Sequence, residues 1–101
     1  MRLTLESGTT IDDPTEDDLL LMIEDEAFVI LESRDYTYIQ CALTDDDASE
    51  YVLEYQDGSL DRHYHAIDEP ITLERVTSAF IKYLLGDPTW LTDFKWEKME
   101  L

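Results

Sequence analysis

Cysteine, glycine, basic residues and long apolar runs are all scarce in this sequence of 101 residues. Cys41 is the only cysteine, which excludes an internal disulfide and a thiolate zinc cage and fits a reducing compartment. Three glycines leave no glycine-rich phosphate loop or dinucleotide fingerprint. No apolar run approaches the ~20 residues of a membrane span, and Met1–Glu6 lacks the apolar stretch of a signal peptide. We therefore expect a cytoplasmic protein without membrane association.

The charge of the chain is almost entirely of one sign. There are 25 acidic side chains and seven basic ones, which gives a net charge of −18. Binding to nucleic acid or to an anionic membrane requires Lys and Arg to replace counterions at phosphates. We therefore expect no direct nucleic-acid binding and a protein partner that is basic.

The apolar content predicts a folded domain in spite of this charge. Hydrophobic residues make up 44% of the chain and there are eleven aromatic side chains, more than a disordered acidic tail contains. A chain of this length is the usual size of one domain, so we predict a single domain over residues 1–101.

The N-terminal half predicts a hairpin, a helix and a buried strand. Alternation at Leu3 and Leu5 indicates a strand that turns back through Ile11. Asp13 is the predicted helix cap, with Pro14 in the first helical position and Glu16 closing a capping box, and the helix is expected to run to about Asp25. The apolar run 27–31 predicts a central strand that is covered on both faces.

The C-terminal half predicts further strands around a second helix. Segments 36–43 and 51–56 have strand composition, and Asp57-Gly58 predicts a hairpin into a return strand over 59–67. Thr72 is the expected cap of an amphipathic helix that stops at Gly86. The predicted fold is α+β: an antiparallel sheet of about five to six strands with two helices, the C-terminal amphipathic helix packed on one face.

The sequence offers little that resembles a catalytic or metal site. His63 and His65 would point to one face of a strand, but two imidazoles fall short of a zinc site, and we interpret them as exposed strand residues. The run 45–47 with Glu50 lacks the spacing of a calcium loop. Cys41 is expected to be a buried, inert thiol. We predict no catalytic activity, no cofactor and no bound metal.

Tyrosines are concentrated on the predicted neighbouring strands, where they can form a core layer or an exposed interface. Core packing is the ordinary role of aromatic residues in a small domain. An exposed group ringed by carboxylates would instead anchor a basic partner. The sequence leaves both alternatives open for Tyr55 and Tyr64.

The C-terminal half resembles a known family. The hairpin segment 54–64 (EYQDGSLDRHY) leads into the helix 76–86 and a closing aromatic segment, with the key side chains Ala79, Phe80, Tyr83, Leu84, Trp90, Phe94, Lys95, Trp96 and Glu97. This order resembles the first-numbered immunity-protein family of bacterial polymorphic toxin systems and covers about half of the chain. The resemblance implies a non-catalytic inhibitor that binds a cognate toxin, often a nuclease or nucleic-acid deaminase.

We predict that acidic residues and two tyrosines contact such a partner. A basic toxin cleft would attract an acidic domain by electrostatic steering, and aromatic anchors would then hold the complex. The predicted contact residues are Asp45, Asp46, Asp47, Glu50, Asp57, Asp61, Tyr55 and Tyr64.

Two other functions compatible with the sequence are a nucleic-acid mimic and a metal-binding domain. A mimic would occupy the groove of a DNA-binding protein with carboxylates at phosphate-like spacing. A small metal-dependent domain would use His63 and His65. The sequence is compatible with a monomer and with a homodimer.

Overall fold

The chain builds one antiparallel sheet and places two helices against it. A computed structural model describes residues 1–44, 50–68 and 70–99. The strands are β1 (Arg2–Leu5), β2 (Thr10–Asp12), β3 (Phe28–Arg34), β4 (Thr37–Leu43), β5 (Tyr51–Asp57), β6 (His63–Ala66) and β7 (Trp96–Lys98). The helices are α1 (Glu16–Asp25) and α2 (Leu73–Leu85), and two 3₁₀ turns span Leu60–Arg62 and Pro88–Leu91.

The strand order across the sheet is β2-β1-β3-β4-β5-β6-β7, and all neighbours are antiparallel. This confirms the predicted α+β class with an antiparallel sheet and two helices. The described residues form seven strands rather than five to six. The difference lies at one edge, where the three-residue strand β7 pairs with β6.

The core lies between one face of the sheet and the two helices. Strand register aligns Leu3 with Leu31, Leu31 with Ile39, and Ile39 with Tyr55, so one row of large side chains crosses four strands. The helices pack together and close this face, with the fully buried helical residues Leu19, Ile23, Val76, Ala79 and Phe80. The predicted amphipathic character of the second helix is confirmed, since its buried residues Val76, Ala79 and Phe80 lie on one side.

Helix α1 begins two residues later than predicted. Its cap is Thr15, whose Oγ1 accepts a hydrogen bond from the Asp18 backbone N–H at 3.2 Å, while the Thr15 N–H donates to the Asp18 carboxylate at 2.9 Å. Asp13 has a φ of 51°, so the chain still turns there and that residue cannot cap the helix. The predicted cap at Asp13 and the capping box through Glu16 are therefore wrong, although the helix end at Asp25 is confirmed.

Helix α2 has the predicted limits. Thr72 accepts a hydrogen bond from the Arg75 backbone N–H, and Gly86 ends the helix with a left-handed φ of 77°. The Arg75 guanidinium connects α2 to the C-terminal segment. It donates to the Asp68 carboxylate at 2.6 Å and to the Asp93 carbonyl at 3.0 Å, and it lies 4.5 Å from the centre of the Phe94 ring.

Strand β3 is covered on one face only. Val29 and Leu31 are buried beneath the helices, but Phe28 and Ile30 point to the opposite face and stay partly exposed. The prediction that both faces are covered is wrong, because both helices pack on the same side of the sheet. Among the described residues, no helix is long and apolar enough to cross a membrane.

The corrected helix start predicts unequal effects of two substitutions. Thr15→Ala removes a satisfied cap and should lower the free energy of unfolding by about 1 kcal/mol. Asp13→Asn keeps a side chain that tolerates positive φ and loses only an exposed pair with the terminal amine, so the loss should be below about 0.5 kcal/mol. Urea denaturation measures both, and a larger loss for Asp13→Asn would contradict the assignment.

Candidate functional site

The predicted acidic contact residues fall at opposite ends of one strand. Asp45, Asp46 and Asp47 lie outside the described residues. Glu50 directly precedes β5, whereas Asp57 ends that strand and Asp61 follows in the next 3₁₀ turn. A seven-residue strand is about 20 Å long, so the structure does not bring Glu50 together with the other two. Asp57 and Asp61 are both exposed at the same end of the sheet.

Tyr55 and Tyr64 belong to an aromatic cluster on the helix side of the sheet. Their rings stack with centres 4.9 Å apart, and Tyr55 also meets Trp90 and Trp96 edge to face at 5.0 and 4.7 Å. Both tyrosines are half-buried, and burial, with Tyr64 and Asp57 adding to it, raises the pKa of Tyr55. Their rings therefore pack largely as core, with part of each side chain left accessible.

A cleft brings Tyr55 and Asp57 together with residues that no sequence pattern marked as a site. It opens between the end of β5 and the C-terminal end of α2, has a volume of about 410 Å³, and is also lined by Tyr83, Asp87 and Trp90. The Tyr83 hydroxyl lies 3.0 Å from Ser33 Oγ across the cleft. This contact links α2 to the end of β3 and holds one aromatic wall in place.

Carboxylates stand at the rim of this cleft. Asp87 accepts hydrogen bonds from the Thr89 backbone N–H at 3.0 Å and hydroxyl at 2.8 Å, which lowers the pKa of its carboxyl and keeps it ionised. Asp57 lies 3.8 Å from Arg62, with both side chains more than half exposed. Such an exposed pair contributes about 0–1 kcal/mol, so an incoming cation can replace Arg62 at little cost.

The cleft has the chemistry to receive a cationic side chain. Guanidinium and ammonium groups bind to the faces of Trp and Tyr rings and pair with carboxylates. Arg34 also lines the cleft, and its Nε donates at 3.3 Å to the hydroxyl of Thr37, another lining residue. Sequence reasoning missed Asp87 and Trp90 as site residues because only the folded chain places the segment after Gly86 beside β5.

The opposite, uncovered face of the sheet carries a buried polar cluster around His63. Contrary to the prediction of an exposed histidine, its side chain is only 5% accessible. Nε2 lies 2.6 Å from Glu54 Oε1, and Nδ1 lies 3.1 Å from Gln56 Oε1. Tyr38 donates to the same Gln56 oxygen at 3.2 Å. Strand pairing between β5 and β6 creates this cluster, and no local sequence signal marks it.

The hydrogen bonds orient the Gln56 side chain in this cluster. The Gln56 amide nitrogen donates to the Tyr36 carbonyl at 3.1 Å, so its oxygen faces His63 Nδ1. Both ring nitrogens of His63 thus lie within hydrogen-bonding distance of a side-chain oxygen, which leaves neither of them open to bind a metal ion.

The second histidine does not complete a metal site. His65 lies on the same face as His63, as predicted, but is one-third exposed and faces Glu97 at 3.5 Å. Within residues 1–44, 50–68 and 70–99, no group of three or more His, Cys, Asp or Glu side chains is arranged to hold a metal ion.

Cys41 lies in the core, as expected for an inert thiol. It pairs with Val29 and Leu53 on the neighbouring strands and is 2% exposed. Burial raises the pKa of its thiol to about 12.

Comparisons with known proteins add no identification to these observations. The chain matches no protein-family model, no curated protein and no solved structure. The resemblance to immunity proteins therefore rests on the segments quoted above and stays a prediction.

The two histidines should differ sharply in their contribution to stability. His63→Leu removes the contacts that the ring makes with Glu54 and Gln56 in a largely buried cluster, although Gln40 and Tyr38 still donate to these residues, and should lower the free energy of unfolding by about 1–3 kcal/mol. His65→Leu removes only a partly exposed contact and should change it by less than about 0.5 kcal/mol. Equal effects in urea denaturation would contradict the geometry described for His63.

Cys41 should be protected from alkylation in the native protein. Raising its pKa from 9.0 to about 12 lowers the thiolate fraction at mildly alkaline pH. The decrease is about a thousandfold, and burial adds steric protection. Iodoacetamide labelling followed by mass spectrometry should therefore modify the chain in urea but not in buffer. Rapid labelling of the native chain would contradict the assigned burial.

Proposed function

We propose that this protein is a non-catalytic acidic binding protein of the immunity type, which neutralises a basic toxin by direct binding. The toxin class proposed is a nuclease or nucleic-acid deaminase, since enzymes that act on nucleic acid need a basic cleft. The observation that carries the proposal is the aromatic cleft with Asp57 and Asp87 at its rim.

The excess of carboxylates supports a basic partner. Acidic side chains outnumber basic ones by 18, so the chain cannot neutralise them by internal pairing. Four of the seven basic side chains already form ion pairs with aspartates of the chain. The pairs are Arg2 with Asp12, Arg62 with Asp57, Arg75 with Asp68, and Lys82 with Asp93. The carboxylates in excess produce a negative electrostatic field. This field attracts a cationic surface and raises its rate of association, most strongly at low ionic strength.

The cleft supports specific binding after that first encounter. Hot spots in protein interfaces are enriched in Trp, Tyr and Arg, and lie where water is excluded around them. Here the rings of Tyr83 and Trp90 pack edge to face with their centres 5.4 Å apart and form one preformed aromatic wall, in which Trp90 is largely buried. An arginine or lysine of the partner can place its apolar stem against these rings and its charge at Asp57 and Asp87.

The metal-dependent alternative has less support from the geometry, because both nitrogens of His63 are already engaged. The mimic alternative differs from the proposal in its partner. A mimic would bind a DNA-binding protein rather than a toxin, so identification of the bound protein separates the two.

Affinity capture from the source organism tests the proposal. At about 0.05 M salt the chain should capture a basic protein that elutes as salt approaches about 0.5 M, since screening weakens steering. Purified, that protein should degrade or deaminate nucleic acid, and one molar equivalent of this chain should abolish the activity. A captured protein whose enzymatic activity is unchanged, or a DNA-binding factor without toxicity, would contradict the proposal.

The cleft predicts which substitutions weaken that complex. Asp57→Asn with Asp87→Asn should raise the dissociation constant by about tenfold, because each removes one rim charge. Glu6→Gln with Glu97→Gln makes the same change in net charge at two exposed positions outside the cleft, and should change the dissociation constant by less than about threefold. Isothermal titration calorimetry measures both, and equal losses would remove the cleft from the interface.

A further inference from the structure

The helical layer carries a second surface feature, a groove between α1 and α2. It has a volume of about 530 Å³ and opens to solvent on the side away from the sheet. Leu20 of α1 and Leu73 and Ile81 of α2 provide its apolar lining, and Leu20 is 49% exposed. Glu24 and Glu74 stand along it.

The charge at this groove is negative. Lys82 also lines it, but its ammonium nitrogen lies 2.6 Å from the Asp93 carboxylate, so the pair is locally neutral. Helix α1 contains five acidic residues and no basic one. Exposed Glu16 and Asp17 precede the exposed leucines 20 and 21, and Glu24 and Asp25 follow them. The surface of α1 thus presents an apolar patch between two acidic turns.

The last turn of α1 is acidic against the preference of a helix. The C-terminal end of a helix carries partial negative charge and favours Lys, Arg or His. Here the last turn has Glu24 and Asp25 with no basic residue, and the next residue is Glu26. These carboxylates do not help the helix to form. A role in binding would account for their position beside an exposed apolar groove.

We propose that this groove binds an amphipathic helical segment of the basic partner. Apolar side chains of that segment would contact Leu20, Leu73 and Ile81, and its flanking Lys or Arg side chains would pair with Glu24 and Glu74. The inference rests on the proposed function, because it assigns a surface to the same partner. A second copy of this chain would bring the same acidic rim against itself, and an anionic membrane would be repelled. A cationic amphipathic segment complements both the apolar lining and the charge.

The groove and the cleft are adjacent on α2. Ile81 and Lys82 line the groove, and Tyr83 lines the cleft. Successive helical residues point about 100° apart, so the two sites lie on different sides of the same turn. One partner can therefore insert a cationic side chain into the cleft while its helix lies in the groove.

A synthetic peptide tests the groove without the natural partner. The probe is an amphipathic helix of about 18 residues with leucines on one face and lysines on the other, and its control is a scrambled peptide of equal composition. In ¹H–¹⁵N spectra of the intact chain, the probe should shift the amides of residues 20–24 and 73–82. It should bind at least about fivefold more tightly than the scrambled peptide at about 0.15 M salt.

Matched variants separate the groove from overall charge. Glu24→Lys should weaken binding of the probe by about tenfold, and Leu20→Gln by about fivefold. Asp35→Lys makes the same charge change in the exposed turn between β3 and β4 and should weaken binding by less than about twofold. Glu24→Lys should also raise the melting temperature by about 2–5 °C, because lysine suits the end of a helix.

The outcomes are distinct for the groove and for the proposed function. The groove assignment would be overturned if the scrambled peptide bound as tightly as the probe, or if Glu24→Lys and Asp35→Lys weakened probe binding equally. Amide shifts confined to the uncovered sheet face would overturn it as well. A captured toxin that is inhibited equally well by the Glu24→Lys chain would overturn it too, while leaving the proposed function intact. Failure of any captured protein to be inhibited would instead contradict the proposed function, even if the peptide binds in the groove.

Discussion

The apolar layer between the sheet and the helices has to outweigh the repulsion among carboxylates on the surface. Leu3, Leu31 and Ile39 on the sheet and Leu19 and Phe80 on the helices are fully buried in this layer. Each such side chain contributes about 1.5–3 kcal/mol by leaving water. Repulsion between exposed charges is weaker per pair and falls off within a Debye length, about 8 Å at physiological salt. Burial on one face therefore allows the surface to remain strongly acidic.

The uncovered sheet face is organised by polar contacts instead. His63 on β6 contacts both Gln56 and Glu54 on β5, and Tyr38 and Gln40 extend the cluster onto β4. A shift of one residue in the pairing would move these side chains to the apolar face, so the cluster helps to fix the register. The two faces thus specify the same strand pairing by different physical means.

Local sequence patterns predicted most of the fold. Alternation at Leu3 and Leu5 and the helix limits at Thr72 and Gly86 are local signals, and the structure confirms them. The return strand predicted over 59–67 after Asp57-Gly58 is wrong at its start, because a 3₁₀ turn spans Leu60–Arg62 and the strand begins only at His63. The start of α1 was missed because Asp13 and Thr15 are both good capping residues, and only the backbone angle at Asp13 decides between them. The burial of His63 and the cleft beside Tyr55 depend on contacts between distant segments, which no local pattern encodes.

The acidic surface connects the fold to its proposed role. The cleft at Asp57 and Asp87 and the groove at Glu24 and Glu74 both border α2, so the helix that closes the core also carries the proposed contacts. Stability and binding then make opposite demands on the same charges. Glu24 and Asp25 illustrate this, because they oppose the dipole of α1 yet lie where a basic partner would dock.

The dependence of stability on salt tests most directly whether these carboxylates are left unneutralised by the fold. The free energy of unfolding in urea should rise as NaCl increases from about 0.02 M to about 0.3 M, because screening relieves repulsion in the native state. A variant with Glu16→Gln, Glu24→Gln and Asp25→Asn should show a smaller rise. A free energy of unfolding that is unchanged or falls with salt would contradict the account, since it would mean that the acidic groups are already balanced within the molecule.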